Sequence, residues 1–169
     1  ETAISQHEML TEDYKELTHK SVYLKLPIIG RDEEYLLVWT TTPWTIPANI
    51  AVAVDEKQEY SLVKVTSGDH FWVLKDLVET IFKDGYQKIV KIVKGTELVG
   101  LHYQAPFDTI SAVKKVAEEN PDTFHIVIPT DPMIMPISNT EGTGMVHTAV
   151  SAGTEDFALG KKHGLPMIQ

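Results

Sequence analysis

Eight short runs rich in β-branched and aromatic residues, each cut off by turn-formers before reaching helical length, constrain this chain more than anything else in it. They lie at 21–28, 35–40, 50–54, 60–65, 71–74, 87–93, 124–130 and 144–150. Their lengths are those of strands rather than helices. "GRDEE" (30–34) and "SGDH" (67–70) read as turns between neighbouring strands. Three segments carry the helical period instead. "KDLVETIFKDG" places apolar residues at 77, 78, 81 and 82 and stops at Gly85. Residues 109–120 form an amphipathic stretch, with Asp108 or Thr109 as its cap and Pro121 as its end. Residues 154–164 put acids in the first turn and lysines in the last, which suits the helix dipole. Many short strands with a few inserted helices predict a mixed α/β, β-rich fold: a closed or nearly closed β-barrel with peripheral short helices. No repeat, low-complexity stretch or linker interrupts the 169 residues, so a single domain is expected over 1–169.

A chain of this length can hide roughly 70% of its unfolded surface without staples. It has no cysteine, which excludes disulfides and thiolate metal sites and is compatible with the cytoplasm. No apolar run approaches the roughly 18 residues of a membrane span. "ETAISQHEML" lacks a basic segment followed by an apolar one, so it does not read as a secretory signal. Without an initiator Met, the chain is expected to be a piece of a larger protein. The net charge of −9 makes it a poor grip for a phosphate backbone. Any contact with nucleic acid must then be confined to a small patch or depend on other domains.

Three stretches carry candidate chemistry. In "TTTPWTIPAN" (40–49), Pro43 and Pro47 cannot donate to a ladder, so the strand should stop near Thr42. Alternation puts Thr40 and Thr42 on one face and Thr41 on the other. The plain reading is that threonines suit strands and that Trp44 is core. The sharper one is a hydroxyl cluster that holds a substrate hydroxyl or orients a water, since threonine without a base is a poor nucleophile. In "EGTGMVHTAV" (141–150), Gly142 and Gly144 permit a tight turn or a close approach to a ligand. His147 follows, either as a satisfied strand histidine or as a pocket residue. In "GTEDFALGKKHG" (153–164), Asp156 lies nine residues beyond His147. It either complements the helix dipole or aims a carboxylate at an ammonium group. The seven histidines show no metal-ligand spacing, so no metal is expected. No phosphate-binding glycine loop and no Gly-x-Ser-x-Gly elbow occurs.

Together, "WTTTPWTIPAN", "GTGMVHTA" and "EDF", with "GLHYQAPF" (100–107) as a Gly-Leu-x-Tyr segment, resemble the editing (connective peptide) domain of isoleucyl-tRNA synthetases. Thr42 stands where the related valyl and leucyl domains have arginine, which places the resemblance in the isoleucyl branch. The matched stretches span residues 21 to about 166. Where the family usually reads Ala-Pro-Ala after the histidine segment, this chain reads Ala149-Val150-Ser151-Ala152. The synthetic site's signatures, His-x-Gly-His and Lys-Met-Ser-Lys-Ser, are absent.

The resemblance implies proofreading hydrolysis of valyl-tRNA(Ile), with valyl-adenylate left open as a second substrate. It implies no cofactor for this domain; ATP and Mg belong to the synthetic domain elsewhere in the parent. The implied partners are the 3′-terminal adenosine of the aminoacylated tRNA, the valyl moiety and the rest of the synthetase, in the cytoplasm and away from membranes. Thr41, Thr42 and Asp156 are the implied catalytic residues. Thr40, Trp44, Asn49, His147 and Asp156 are the implied substrate-binding ones. Asp156 would hold the α-ammonium group, His147 would wall the side-chain pocket, and the threonines would position ester, ribose hydroxyls or water. Trp44 would flank the adenosine or brace the loop, and Asn49 would hold the loop or substrate. Two alternatives stay open: a degenerate module that binds the tRNA terminus without cleaving it, and an unrelated sugar- or nucleotide-binding barrel.

Overall fold

The computed structural model describes residues 22–168, so the expectation for the first ten residues lies outside the described part. Strands β1 (Val22–Pro27) and β2 (Glu34–Thr40) form the expected antiparallel hairpin, with Val22 opposite Thr40. β3 (Ala51–Val54), β4 (Glu59–Lys64), β5 (His70–Leu74) and β6 (Lys88–Lys94) follow, and β7 (Ile126–Pro129) and β8 (Met145–Thr148) complete the sheet. Its order is β6-β4-β5-β2-β8-β3-β7, with β1 paired to β2 off that path.

A strand has only two edges, so β5 and β8 must share the edge of β2 that β1 leaves. β5 pairs in parallel with Glu34–Leu36, and β8 takes over at Trp39. The sheet turns sharply there, and β8 is handed to β3 by an antiparallel ladder in which His147 faces Val52. The result is an open, strongly curled half-barrel whose edges lie 11 Å apart. The expected closed or nearly closed barrel does not form, because paired strands need a separation of about 4.8 Å. Counting runs finds the strands of a barrel but not which edges meet. β6, "KIVKIVK", is exposed at almost every position and carries Lys88, Lys91 and Lys94 along an end of the sheet. Charges of this kind keep an edge from pairing. At the other end, β7 is four residues long and finishes on Pro129, which has no N–H to give.

Alternation along the strands feeds two sides of this curl. Val52 and Val54 join Leu24, Leu36, Val38, Trp72 and Met145 in the main core, while Ala51 and Ala53 point the other way. That second side is covered by helices α2 (Ser111–Glu119), through Val113, and α3 (Thr154–His163), through Leu159. A third cluster, with Leu37, Phe71 and Val73, packs under Val78 of the one-turn helix α1 (Val78–Ile81). The helix expected over 75–85 is thus a 3-10 turn, Lys75–Leu77, followed by that single turn. Neither Asp108 nor Thr109 caps α2. Ile110 holds the cap position, and the Asp108 carboxylate accepts the Ala105 N–H instead.

The two glycines before β8 are required by packing. Both have positive φ, +79° at Gly142 and +80° at Gly144. A methyl on Gly142 would sit 2.8 Å from the Trp39 ring, and one on Gly144 would sit 2.4 Å from Leu74 Cβ. The close approach that Gly-x-Gly permits is made to the protein's own side chains. Gly144→Ala is expected to cost about 1–3 kcal/mol through strain and overpacking. A urea unfolding curve with an unchanged midpoint would show that the loop can move aside freely.

Candidate functional site

The site begins where β2 runs out. β2 ends at Thr40, and Pro43, at the first position of a 3-10 helix (Pro43–Ala48), sets the backbone direction that follows. Thr40 and Thr42 fall together, as alternation requires. The Thr42 N–H donates to Thr40 Oγ1 at 3.0 Å, and the two hydroxyl oxygens are 3.2 Å apart. Thr40 is buried, while Thr41 and Thr42 are exposed. One turn on, the Thr45 hydroxyl donates to the Thr42 carbonyl at 2.8 Å and lies 3.4 Å from Thr42 Oγ1.

Thr45 ties this loop to β8. Its Oγ1 is 2.7 Å from His147 Nε2. The other ring nitrogen, Nδ1, is 2.7 Å from the Asn49 side-chain amide nitrogen. The proton positions follow by elimination. The Ala51 carbonyl can only accept, so the Asn49 group facing it at 3.1 Å is the NH₂. That same NH₂ donates to His147 Nδ1, which must therefore be bare. Nε2 then carries the proton and donates to Thr45, whose own proton goes to the Thr42 carbonyl. Asn49 Oδ1 accepts from the Tyr103 hydroxyl, and the Asn49 backbone carbonyl lies 3.1 Å from His125 Nε2. Burial pushes the His147 pKa down from 6.5 to about 4, partly opposed by the hydrogen bond at Thr45. The imidazole is neutral near pH 7 and both nitrogens are occupied, so it has no lone pair with which to take a proton from a threonine.

Asp156 reaches the same end of β8 from α3. Its Oδ2 accepts the Ala149 N–H at 2.9 Å, two residues beyond His147. The group is half-buried, and desolvation raises its pKa. Its second oxygen accepts no hydrogen bond among the described residues. Val150, the residue at which this chain departs from the pattern, is buried against α3, where a methyl on Gly160 would come within 2.7 Å of it. The turn between His147 and Asp156 is thus filled by a valine resting on a glycine.

Thr40, Thr42, Thr45, His147 and Asn49 are therefore linked by hydrogen bonds, and Asp156 is bonded to Ala149, two residues beyond His147, although the sequence separates the threonines from Asp156 by over a hundred positions. Sequence reasoning missed Thr45, Tyr103 and His125 as members of the network. Thr45 had a signal, since it lies one 3-10 turn after Thr42. Trp44 is not core; it is 74% exposed on the loop.

Comparison with known proteins bears on this constellation. No family model matches the chain. Over 172 residues it is 38% identical to the isoleucine–tRNA ligase of Saccharolobus islandicus and 40% identical to that of Thermococcus kodakarensis. Each alignment covers 99% of this chain and 15% or 16% of the relative, so the chain spans about a sixth of their length. In structure it is similar to GlLeuRS-CP1, with a TM-score of 0.65, 16% identity, and coverage of 86% of this chain and 65% of that one. It is also similar to the P. knowlesi cytosolic leucyl-tRNA synthetase editing domain: TM-score 0.63, 14% identity, 85% and 62% covered. The chain matches a segment of isoleucine–tRNA ligases and has the fold of leucyl-tRNA synthetase editing domains. At such low identity the structural likeness speaks for the fold alone.

Elsewhere in the fold, a cavity of about 720 Å³ is lined by Ile29, His102, Tyr103, Asp108, Lys114 and Phe124, among others. None of the threonines, His147 or Asp156 lines it. No group of three or more His, Cys, Asp or Glu side chains fit to hold a metal occurs among the described residues, and no helix there is long and apolar enough to cross a membrane. Because Trp44 packs on so little, Trp44→Ala is expected to shift unfolding free energy by less than about 0.5 kcal/mol. Urea unfolding checks this, and a larger loss would return Trp44 to the core.

Proposed function

We propose that this editing domain hydrolyses the ester joining valine to tRNA(Ile), as part of a longer isoleucine–tRNA ligase. The observation that carries the reading is that the threonine loop is hydrogen-bonded to His147 and Asp156 to Ala149, both near the C-terminal end of β8, in a chain 38–40% identical to isoleucine–tRNA ligases. The physical problem is a single methylene. Valine and isoleucine differ by about 1–3 kcal/mol in any apolar pocket, a range for which this synthetase is itself the standing illustration. A second site can reverse the error by admitting the smaller side chain and cutting its ester.

In this reading Asp156 holds the α-ammonium of the valyl group with its available oxygen, a charge-assisted contact. His147, fixed from both sides, walls the side-chain pocket. The exposed hydroxyls of Thr41 and Thr42 hold the ester, the ribose or the attacking water, and Trp44 offers a face to the terminal adenine. Water adds to the ester carbonyl, the bond from that carbon to the ribose oxygen breaks, and the proton ends on the ribose oxygen, giving valine and tRNA. With His147 occupied at both nitrogens and Asp156 engaged by the ammonium, the rate comes from positioning and electrostatics on an activated ester. No metal or cofactor takes part; ATP and Mg act at the synthetic site of the parent. The net charge of −9 fits a domain that holds only the 3′-terminal adenosine while other parts of a cytoplasmic ligase grip the tRNA.

The test is titration of the chain with a non-hydrolysable valyl-adenosine analogue, followed by amide chemical shifts. Perturbations should centre on residues 40–49, 147–149 and 156. Perturbations confined to the cavity beside Tyr103 and Lys114 would remove the reading.

A further inference from the structure

We propose that Tyr103 is a positioning residue for the reaction: through Asn49 it fixes which nitrogen of His147 carries the proton, and so sets the direction of the hydrogen bonds entering the threonine loop. The proposal rests on the hydrolytic reading above but concerns a residue remote from the ester.

The geometry is a directed chain. Tyr103 is buried, and its hydroxyl donates to Asn49 Oδ1. Asn49 is 4% exposed, so its carboxamide has no solvent to turn to. One NH₂ proton goes to the Ala51 carbonyl and the other to His147 Nδ1. His147 Nε2–H goes to Thr45, and the Thr45 hydroxyl to the Thr42 carbonyl. The Ala51 carbonyl, which can only accept, sets which end of the Asn49 amide faces His147, and the Tyr103 hydroxyl holds the amide there by donating to its oxygen. Tyr103 is itself locked, its ring stacked 4.9 Å from that of His125, which in turn contacts the Asn49 backbone carbonyl. Without the phenol, Asn49 Oδ1 is a buried acceptor with no donor, which is costly. The amide then turns or shifts, and its hold on Nδ1 weakens. The opposite tautomer of His147 would require Thr45 to donate to Nε2, stripping the Thr42 carbonyl of the hydroxyl that helps close the 3-10 turn. A phenol deep under the fold thus decides the shape of the exposed threonine loop. The wider lesson is that hydrogen-bond chains in a low-dielectric interior polarise along their length and act as units.

Two variants test this, Tyr103→Phe and Asn49→Asp, each in the 169-residue chain for spectroscopy and in the full-length ligase for deacylation of valyl-tRNA(Ile). With ¹⁵N-labelled histidine, the wild-type His147 should show a protonated Nε2 and a bare Nδ1. Tyr103→Phe should give averaged signals from both tautomers, and Asn49→Asp, which can only accept, should give the Nδ1–H form. Deacylation by Tyr103→Phe should fall about tenfold in kcat with little change in KM. An unchanged tautomer, or a changed tautomer with an unchanged kcat, overturns the proposal, as does a slowed reaction with the wild-type spectrum. A wild-type ligase that does not deacylate valyl-tRNA(Ile) overturns the hydrolytic reading instead, and the positioning of the reaction with it, while the spectra still decide what Tyr103 does to His147.

Discussion

Asp156→Ala in the full-length ligase should slow valyl-tRNA(Ile) hydrolysis about 10- to 150-fold and leave isoleucine activation nearly intact. The range follows from a charge-assisted hydrogen bond worth about 1.5–3 kcal/mol in a partly dry site. The structure sharpens what else the substitution removes. Asp156 Oδ2 also accepts the Ala149 N–H and so ties α3 to the end of β8. Asp156→Asn separates the two roles, because its side-chain oxygen can still accept that N–H while its neutral amide cannot pair with an ammonium. If Asn restores the unfolding midpoint lost in Ala but not the hydrolysis, the carboxylate acts on substrate. If Asn restores both, Asp156 serves the helix and the turn. The raised pKa adds a direction. An arriving ammonium favours the ionised form, so bound analogue should lower the Asp156 pKa, which carboxyl chemical shifts can follow.

His147→Ala should make isoleucyl-tRNA(Ile) a substrate. Valine and isoleucine share the ammonium, ester and adenosine, so Asp156 and the threonines cannot tell them apart. Only a wall at the end of the side chain can, and a ring held at both nitrogens is stiff enough to be one. With that wall gone, the extra CH₂ favours isoleucine by about 0.8 kcal/mol, roughly fourfold. The quantity to measure is the ratio of the two deacylation rates in one preparation, because a loss of folded protein lowers both alike. A ratio unchanged from wild type would move the size filter elsewhere. The same substitution has a signature in stability. His147 in the unfolded chain titrates near 6.5 and in the fold at about 4. Between those values the unfolded state binds the extra proton, so stability present above pH 6.5 is lost as pH falls toward 4. The loss is about 3 kcal/mol over that window. If His147 is its source, the loss should be absent from the His147→Ala unfolding curves and should appear as the pH dependence of their difference from wild type.

The strands were legible because alternation is local. "AVAV" at 51–54 announces two faces, and the fold uses both, with valines in one core and alanines under the helices. The break after Thr40 was legible because proline has no N–H. The pairing of Thr40 with Thr42 follows from the same period-two geometry. The candidate residues themselves stand out only through several motifs taken together, since nothing local distinguishes His147 from any strand histidine.

What tertiary structure alone decided is which edges meet and which donors face which acceptors. Closure of a sheet depends on the curl accumulated over all its strands. The handover of one β2 edge from β5 to β8 leaves the half-barrel open, and no run of residues encodes that handover by itself. The tautomer of His147 likewise rests on Thr45, Asn49 and Ala51, in one segment about a hundred residues away in sequence, and on Tyr103 in another. A side chain's protonation is set by burial and by partners brought from a distance, whereas a strand is set by its own residues, and that difference in range divides what the sequence determined from what only the fold could.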